Sequence, residues 1–302
     1  MSEHRTETLR VDAADAGARL DRWLARALAV PVEHARSLVT AGHVRIRGKT
    51  CAISRKLFGD EEVVIARPEP RRRPVPESAG PPLEVLYDDA RCLVVDKPAA
   101  LAVEPSVRGA PSVCGAAARL GSFSVQGRAW PGLAHRLDAD TTGCLLLARD
   151  DRALAALRDA FAAGAIEKEY LVLVAGAPPD DGRLDTPYAR DPADPRRFTT
   201  RVASARRARL SFVVARRLPG AALLRVRLET GRTHQIRVQL ADAGHPVLGD
   251  AVYGVRSDVI GRQALHAERL AFPRPHDGAR VDVRAPLPRD LHAAIDALAQ
   301  RA

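Results

Sequence analysis

The chain has 302 residues, 46% of them hydrophobic, and a net charge of +10 in which arginine far outnumbers lysine. That length favours two domains, the apolar share is enough for a sizeable core, and the positive excess points to a polyanionic partner, nucleic acid first. No apolar leader opens the chain, no run approaches the roughly 18 apolar residues of a membrane span, and neither C-x-x-C nor H-E-x-x-H occurs, so secreted, membrane-embedded and metal-centred readings are set aside.

Residues 1–17 read as a polar N-terminal tail with a strand-like piece at 8–11. In a first small unit, 18–66, Leu20, Trp23, Leu24 and Leu28 fall at helical spacing. A second helix is predicted over 32–40, with Ala35, Leu38 and Val39 inward, Arg36 outward and Gly42 as its stop. Residues 43–47 alternate polar and apolar as a half-exposed strand, Gly48-Lys49 turns the chain, and a strand follows the Gly59-Asp60 turn at 62–65. Residues 67–82, rich in proline and arginine, read as a solvated linker in which the 71–73 arginine run can touch phosphate.

The second domain is placed at 83–302. Strands at 83–87 and 92–96 form a hairpin, and 111–120 is predicted as a helix. Residues 151–163 form an amphipathic helix capped by Asp150 or Asp151, with Leu154, Leu157 and Phe161 inward. Further strands are expected at 166–175, 208–214, 223–228 and 265–272, and helices at 234–243, capped by Thr233, and at 287–299. Strands and helices mix without regular βαβ alternation, which points to an α+β class with a mixed, mainly antiparallel sheet flanked by helices. Cys51, Cys92, Cys114 and Cys144 are too scattered for a motif and read as reduced thiols, so a soluble, cytoplasmic protein is expected.

The chain centres on 133–149, LAHRLDADTTGCLLLAR. Its second half is the apolar run of a strand buried on both faces. Its first half is a polar loop with Asp138 between His135-Arg136 and Thr141-Thr142-Gly143. Spacing alone supports a catalytic loop and a surface loop in which Asp138 pairs with Arg136 about equally.

Four blocks separate these readings. They are His135-Arg136-Leu137-Asp138 with Thr141-Thr142-Gly143; Lys168-Glu169-Tyr170-Leu171; Thr230-Gly231-Arg232-Thr233-His234-Gln235-Ile236-Arg237 with Gly244-His245-Pro246 and Gly249-Asp250; and Arg262-Gln263-Ala264-Leu265-His266-Ala267. In order and spacing they resemble the RluA type of pseudouridine synthase. Residues 18–66 resemble the small α/β RNA-binding domain named after ribosomal protein S-four, through Arg19-Leu20-Asp21-Arg22-Trp23-Leu24, the stretch Ala41 to Lys49 and Gly59-Asp60. Where the synthase family often has Gly and His in its Lys-Pro segment, this chain has Ala100 and Glu104.

The resemblance implies an isomerase that detaches uracil from ribose, turns it and rejoins it through carbon, without cofactor or metal. Asp138 is then the essential carboxylate. It can add to the base, attack the sugar carbon or remove a sugar proton; each route needs it ionised, and a nearby cation, Arg237, favours that form. Tyr170 is the residue expected to stack on the uracil and move a proton. The target must be flipped from its stack, with Arg136 filling the gap and His135 assisting. Thr142, Arg232, Arg36, Arg45, Arg47 and Lys49 complete the expected RNA contacts. The expected partner is RNA, ribosomal RNA of the large subunit first and transfer RNA second, and the expected state is a monomer. A non-catalytic RNA-binding or assembly factor, a metal-dependent nuclease and a DNA-binding regulator are the competing classes.

Overall fold

The computed structural model describes residues 4–28, 30, 32–68, 80–107 and 109–301; the 71–73 arginine run and most of the expected linker lie outside them.

A first hydrophobic cluster draws on residues between Leu9 and Ile65 alone. Helices Leu20–Ala27 and Val32–Thr40 pack on a four-stranded sheet. Residues expected as an N-terminal tail instead supply its edge: His4–Arg10 pairs antiparallel with all of Glu62–Pro68. The turn of the Val44–Ile46 and Lys49–Thr50 hairpin falls one residue earlier than expected, at Arg47 and Gly48, with φ of 51° and 75°. Positive φ at both central residues suits the right-handed twist of paired strands.

The second sheet has ten strands among the described residues. Its path runs Asp181–Pro187, Arg207–Leu218, Ala221–Leu228, Glu167–Ala175, Leu265–Pro273, Thr142–Ala148, Cys92–Lys97, Glu84–Asp88, with Arg280–Arg284 on Leu265–Pro273 and Gly132–Leu133 on Thr142–Ala148. Pairing is antiparallel except between Leu265–Pro273 and Thr142–Ala148, so the sheet is mixed. Thr142–Ala148 is buried along its whole length. Leu145 and Leu147 enter the cluster on one face, with helix Arg289–Ala299, and Cys144, Leu146 and Ala148 enter the cluster on the other, with helix Asp151–Ala162. The strand therefore reads as a continuous apolar run because alternate residues face two cores; each buried leucine contributes about 1.5–3 kcal/mol.

The loop before this strand is forced into place by Gly143. Its φ is +108°, and a Cβ there would lie 2.3 Å from the Ala267 carbonyl oxygen. Only glycine lets the parallel strands meet at the end of the 134–141 loop.

Other departures have local causes. The helix expected over 111–120 shortens to Val113–Ala117, capped by the Ser112 hydroxyl, which accepts from Gly115 N–H at 3.0 Å. The helix at 235 is not capped by Thr233; its N-cap is His234, held at φ 58°. Strands Asp181–Pro187 and Arg280–Arg284 were not expected, because their side chains are mostly polar and partly exposed. No helix among the described residues is long and apolar enough to cross a membrane.

Candidate active site

Asp138 sits on a loop clamped at several points. Leu137 is 9% exposed and anchors in the core. Thr141 N–H donates to the Asp138 carbonyl at 3.1 Å. Behind the loop, Lys97 is wholly buried and donates its ammonium to the carbonyls of Ala139 at 2.5 Å and Pro98 at 2.7 Å. Burial, only partly offset by nearby carboxylates, brings that ammonium down to about 8. Arg262 donates to the Asp140 carbonyl at 2.9 Å while its other nitrogens hold Asp290 at 2.7 and 2.9 Å. Gln263 donates to the Thr141 hydroxyl at 3.1 Å. With backbone and Leu137 held inward, the Asp138 carboxylate is left on the open side, its side chain 25% exposed.

Arg237 meets it from the first turn of helix Gln235–Asp242. Nη1 donates to Asp138 Oδ2 at 2.8 Å, and Nε and Nη2 donate to the two oxygens of Asp250 at 2.6 and 2.8 Å. Asp250 is 1% exposed. Burial would raise its carboxyl, but Arg237 and the N–H groups of Tyr253 and Val252 overcome that and hold it below the usual carboxylate range. Gly249 makes this approach possible: at φ +72° it passes so close to Arg262 that a Cβ would lie 2.1 Å from that residue's carbonyl oxygen. The Tyr253 ring lies against the guanidinium, 5.2 Å from centroid to Cζ.

His234, between these groups, has its Nε2 3.8 Å from Asp138 Oδ1 and its Nδ1 3.0 Å from the Tyr253 hydroxyl. A non-glycine residue in the left-handed region costs about 1–3 kcal/mol and persists where its surroundings fix it. Here Phe198 and Tyr253 pack edge-on against the ring, and the Tyr188 hydroxyl donates to the Thr233 carbonyl. Gln235, 2% exposed, closes the turn: Oε1 accepts from the Thr230 hydroxyl at 2.8 Å and Arg232 N–H at 2.9 Å.

Tyr170, on Glu167–Ala175, is 7% exposed and close enough for the Asp138 charge to act on its phenol. Burial and that charge push it well above the usual tyrosine range, so the hydroxyl stays protonated. Asp138 and Arg237 thus meet from two elements distant in sequence, and the Asp138 charge reaches Tyr170 on a third.

Several expected RNA contacts lie elsewhere. The His135 ring turns inward: Nε2 accepts from Leu146 N–H at 2.9 Å and the ring packs on Phe161 at 5.1 Å. Burial and the charge of Lys168 bring its imidazolium down to about 3, so it is neutral and holds the strand. Thr142 is 5% exposed, its hydroxyl 2.9 Å from Nδ1 of the wholly buried His266, which removes it from any surface contact. Arg36 donates to buried Asp21 at 3.0 Å; Arg19 hydrogen bonds first, and Arg36 with them, draw that carboxyl down to about 2. Arg136 and Arg232 are exposed beside the site, and Arg45, Arg47 and Lys49 are exposed on the small hairpin. Tyr253, Tyr188 and Phe198 were missed, since isolated aromatics between charged residues carry no pattern; Lys97 and Asp250 stood inside noted motifs without a role.

A mixed sheet that delivers one open aspartate against an anchored arginine has the fold of the pseudouridine synthases. It is similar to the human RNA Pseudouridylate Synthase Domain Containing 1 structure, with a TM-score of 0.57 and 24% identity over 72% of this chain and 89% of that one. The human Domain Containing 4 structure gives a TM-score of 0.56 at 23% identity, covering 71% and 92%. The chain belongs to the RNA pseudouridylate synthase family, whose model matches residues 91–242, and is a pseudouridine synthase, an isomerase. It is 36% identical over 298 residues to an uncharacterized RNA pseudouridine synthase of Mycobacterium bovis, covering 94% of this chain and 95% of that one. It is 35% identical over 295 residues to ribosomal large subunit pseudouridine synthase D of Zymomonas mobilis, covering 91% and 92%.

Proposed function

We propose that this enzyme converts uridines of large-subunit ribosomal RNA to pseudouridine, with Asp138 as the essential carboxylate. The observation that carries the reading is the 2.8 Å bond from Arg237 to Asp138 Oδ2, made by a guanidinium already fixed on Asp250, while the rest of the Asp138 carboxylate stays open. In the reaction the bond from uracil N1 to ribose C1′ breaks, the base turns, and C5 bonds to C1′. The C5 proton leaves to solvent and N1 takes one up, so no electrons are exchanged with a cofactor.

Asp138 adds to the base, attacks C1′ or removes a sugar proton; all three start from an open, ion-paired carboxylate. The Tyr170 ring, 7% exposed and within reach of the Asp138 charge, offers a stacking platform for the detached base. Arg136, exposed two residues before Asp138, fills the space the base leaves, offsetting a flipping cost of a few kcal/mol. Residues 18–66 act as an S-four-like RNA-binding domain, with Arg45, Arg47 and Lys49 toward RNA, and residues 83–302 as the catalytic domain. The enzyme works as a cytoplasmic monomer. The ribosomal substrate is supported by the similarity to the Zymomonas mobilis large-subunit synthase along nearly the whole chain.

The test is pseudouridine mapping of ribosomal and transfer RNA in cells lacking the protein, complemented with wild type or Asp138→Asn. Sites lost in the deletion should return with wild type only, and in the large-subunit RNA. Return with the variant would remove Asp138 from the chemistry; sites confined to transfer RNA would replace the substrate.

A further inference from the structure

Lys168 stands two residues before Tyr170 on Glu167–Ala175, so both side chains leave the same face of the sheet. Glu167 and Glu169 leave the other face and pair with Arg227, Arg269 and Arg280. Lys168 has no counterpart to those pairs. It is 8% exposed, its ammonium has no hydrogen-bond acceptor among the described residues, and its one ring contact is Phe161, 5.6 Å to the centroid. Burial alone acts on it, bringing it down to about 8. Yet it is not sealed in. Among the described residues, the fully buried side-chain polar atoms without a partner belong to His34, Arg197 and His245, so the Lys168 ammonium is not fully buried.

Two loops of the active site come near the ammonium. A Cβ at Gly231 would lie 3.6 Å from Nζ, in the turn leading to Arg237. The Lys168 charge also acts on His135, which shares the Phe161 ring with it and opens the loop bearing Arg136 and Asp138. Gly231 and, next to it in the chain, Arg232 are exposed, as is Arg136, which follows His135. A buried cation without a counter-charge is costly, and a fold retains one most readily where a ligand supplies the acceptor. The ammonium is a compact point charge suited to a single anionic oxygen, and RNA is the polyanion that the family's reaction brings here.

We propose that Lys168 is a phosphate-binding residue of the RNA cleft: its ammonium takes a backbone phosphate of a nucleotide flanking the flipped uridine, beside the Gly231-Arg232 turn. This rests on Asp138 marking the reaction centre.

The test titrates unmodified large-subunit ribosomal RNA, transcribed in vitro, against wild type, Lys168→Met and Lys168→Arg between about 50 and 200 mM salt, with thermal melting of each protein. Lys168→Met keeps the stem and removes the charge. It should bind RNA roughly tenfold more weakly at low salt, with a log–log salt slope smaller by about 1, and melt no lower than wild type because an uncompensated buried charge is gone. Lys168→Arg should restore the slope. Wild-type affinity and slope in Lys168→Met, a slope that arginine does not restore, or a lowered melting point in Lys168→Met would each overturn the proposal. Conversion assays separate the two readings. An active Asp138→Asn enzyme removes the reaction centre on which the phosphate site rests; an inactive one, beside a Lys168→Met protein that binds RNA normally, removes the phosphate site alone.

Discussion

Arg237 and Asp250 lock each other through two hydrogen bonds of 2.6 and 2.8 Å, which leaves Nη1 of the guanidinium aimed at Asp138. The fork fixes both the position and the direction of the remaining donor. With Asp138 in its proposed role, Asp250 acts on the reaction through Arg237.

Asp250→Ala should separate that role from RNA binding. Removing one partner of a buried ion pair costs about 3 kcal/mol, and displacement of Arg237 should lower single-turnover conversion about a hundredfold. RNA affinity should change little, since Asp250 is 1% exposed and cannot touch RNA. Calorimetry and single-turnover assays at saturating RNA check both; a folded variant that converts RNA at the wild-type rate would show that Arg237 needs no anchor.

Lys97 is the corresponding support for Asp138. Lys97→Met would strand the Ala139 and Pro98 carbonyls without their donor. We expect a stability loss of about 1–3 kcal/mol and a fall of about tenfold in single-turnover rate, with RNA affinity retained. A loss of RNA affinity with an unchanged rate would mean that the lysine serves the RNA and not the loop.

These supports explain what was legible in the sequence. Asp138, Tyr170 and Arg237 lie in motifs, and that they belong to one site was implied only by the family resemblance those motifs carry. Helix Val32–Thr40 and helix Asp151–Ala162 were readable because an apolar stripe with a stop or a cap is a local signal. The inward turn of His135 and Thr142 was not, since their partners, Leu146 N–H and His266, are set by strand pairing rather than by neighbours in the chain. The pairing of Arg36 was not legible, because nothing local shows that Asp21, fifteen positions away, is buried beneath it. The edge strand His4–Arg10 was legible only at its end, 8–10, because the rest is a polar segment whose pairing is satisfied by Glu62–Pro68.

The buried histidines predict an acid limit on stability. Burial holds His266 down to about 4, against about 6.5 in an unfolded chain. The folded protein keeps it neutral while the unfolded chain takes up a proton. Its contribution is therefore complete above about pH 6.5 and is lost as pH falls toward 4, by up to about 3 kcal/mol. His135, brought down to about 3, acts in the same direction. Urea unfolding at about pH 7 and about pH 4.5 should show this loss, and His266→Gln should flatten it by about 2–3 kcal/mol. Equal pH slopes in the two proteins would mean that burial does not hold His266 below its unfolded value.

Arg136 gives the sharpest test of base flipping. It is exposed, and among the described residues it makes no hydrogen bond or ion pair, so its removal should leave stability within about 0.5 kcal/mol. If its flat guanidinium occupies the gap left by the uracil, planarity matters as well as charge. Arg136→Ala and Arg136→Lys should then both slow conversion of structured RNA by about tenfold to a hundredfold, as a lost stacking contact of about 1–3 kcal/mol requires. The loss should shrink when the target uridine is already unpaired by a mismatch, because less stacking has to be replaced. Single-turnover rates on paired and mismatched RNA read this directly. Rescue by lysine on both substrates would identify Arg136 as a phosphate contact, and the space behind the flipped base would then need a different occupant.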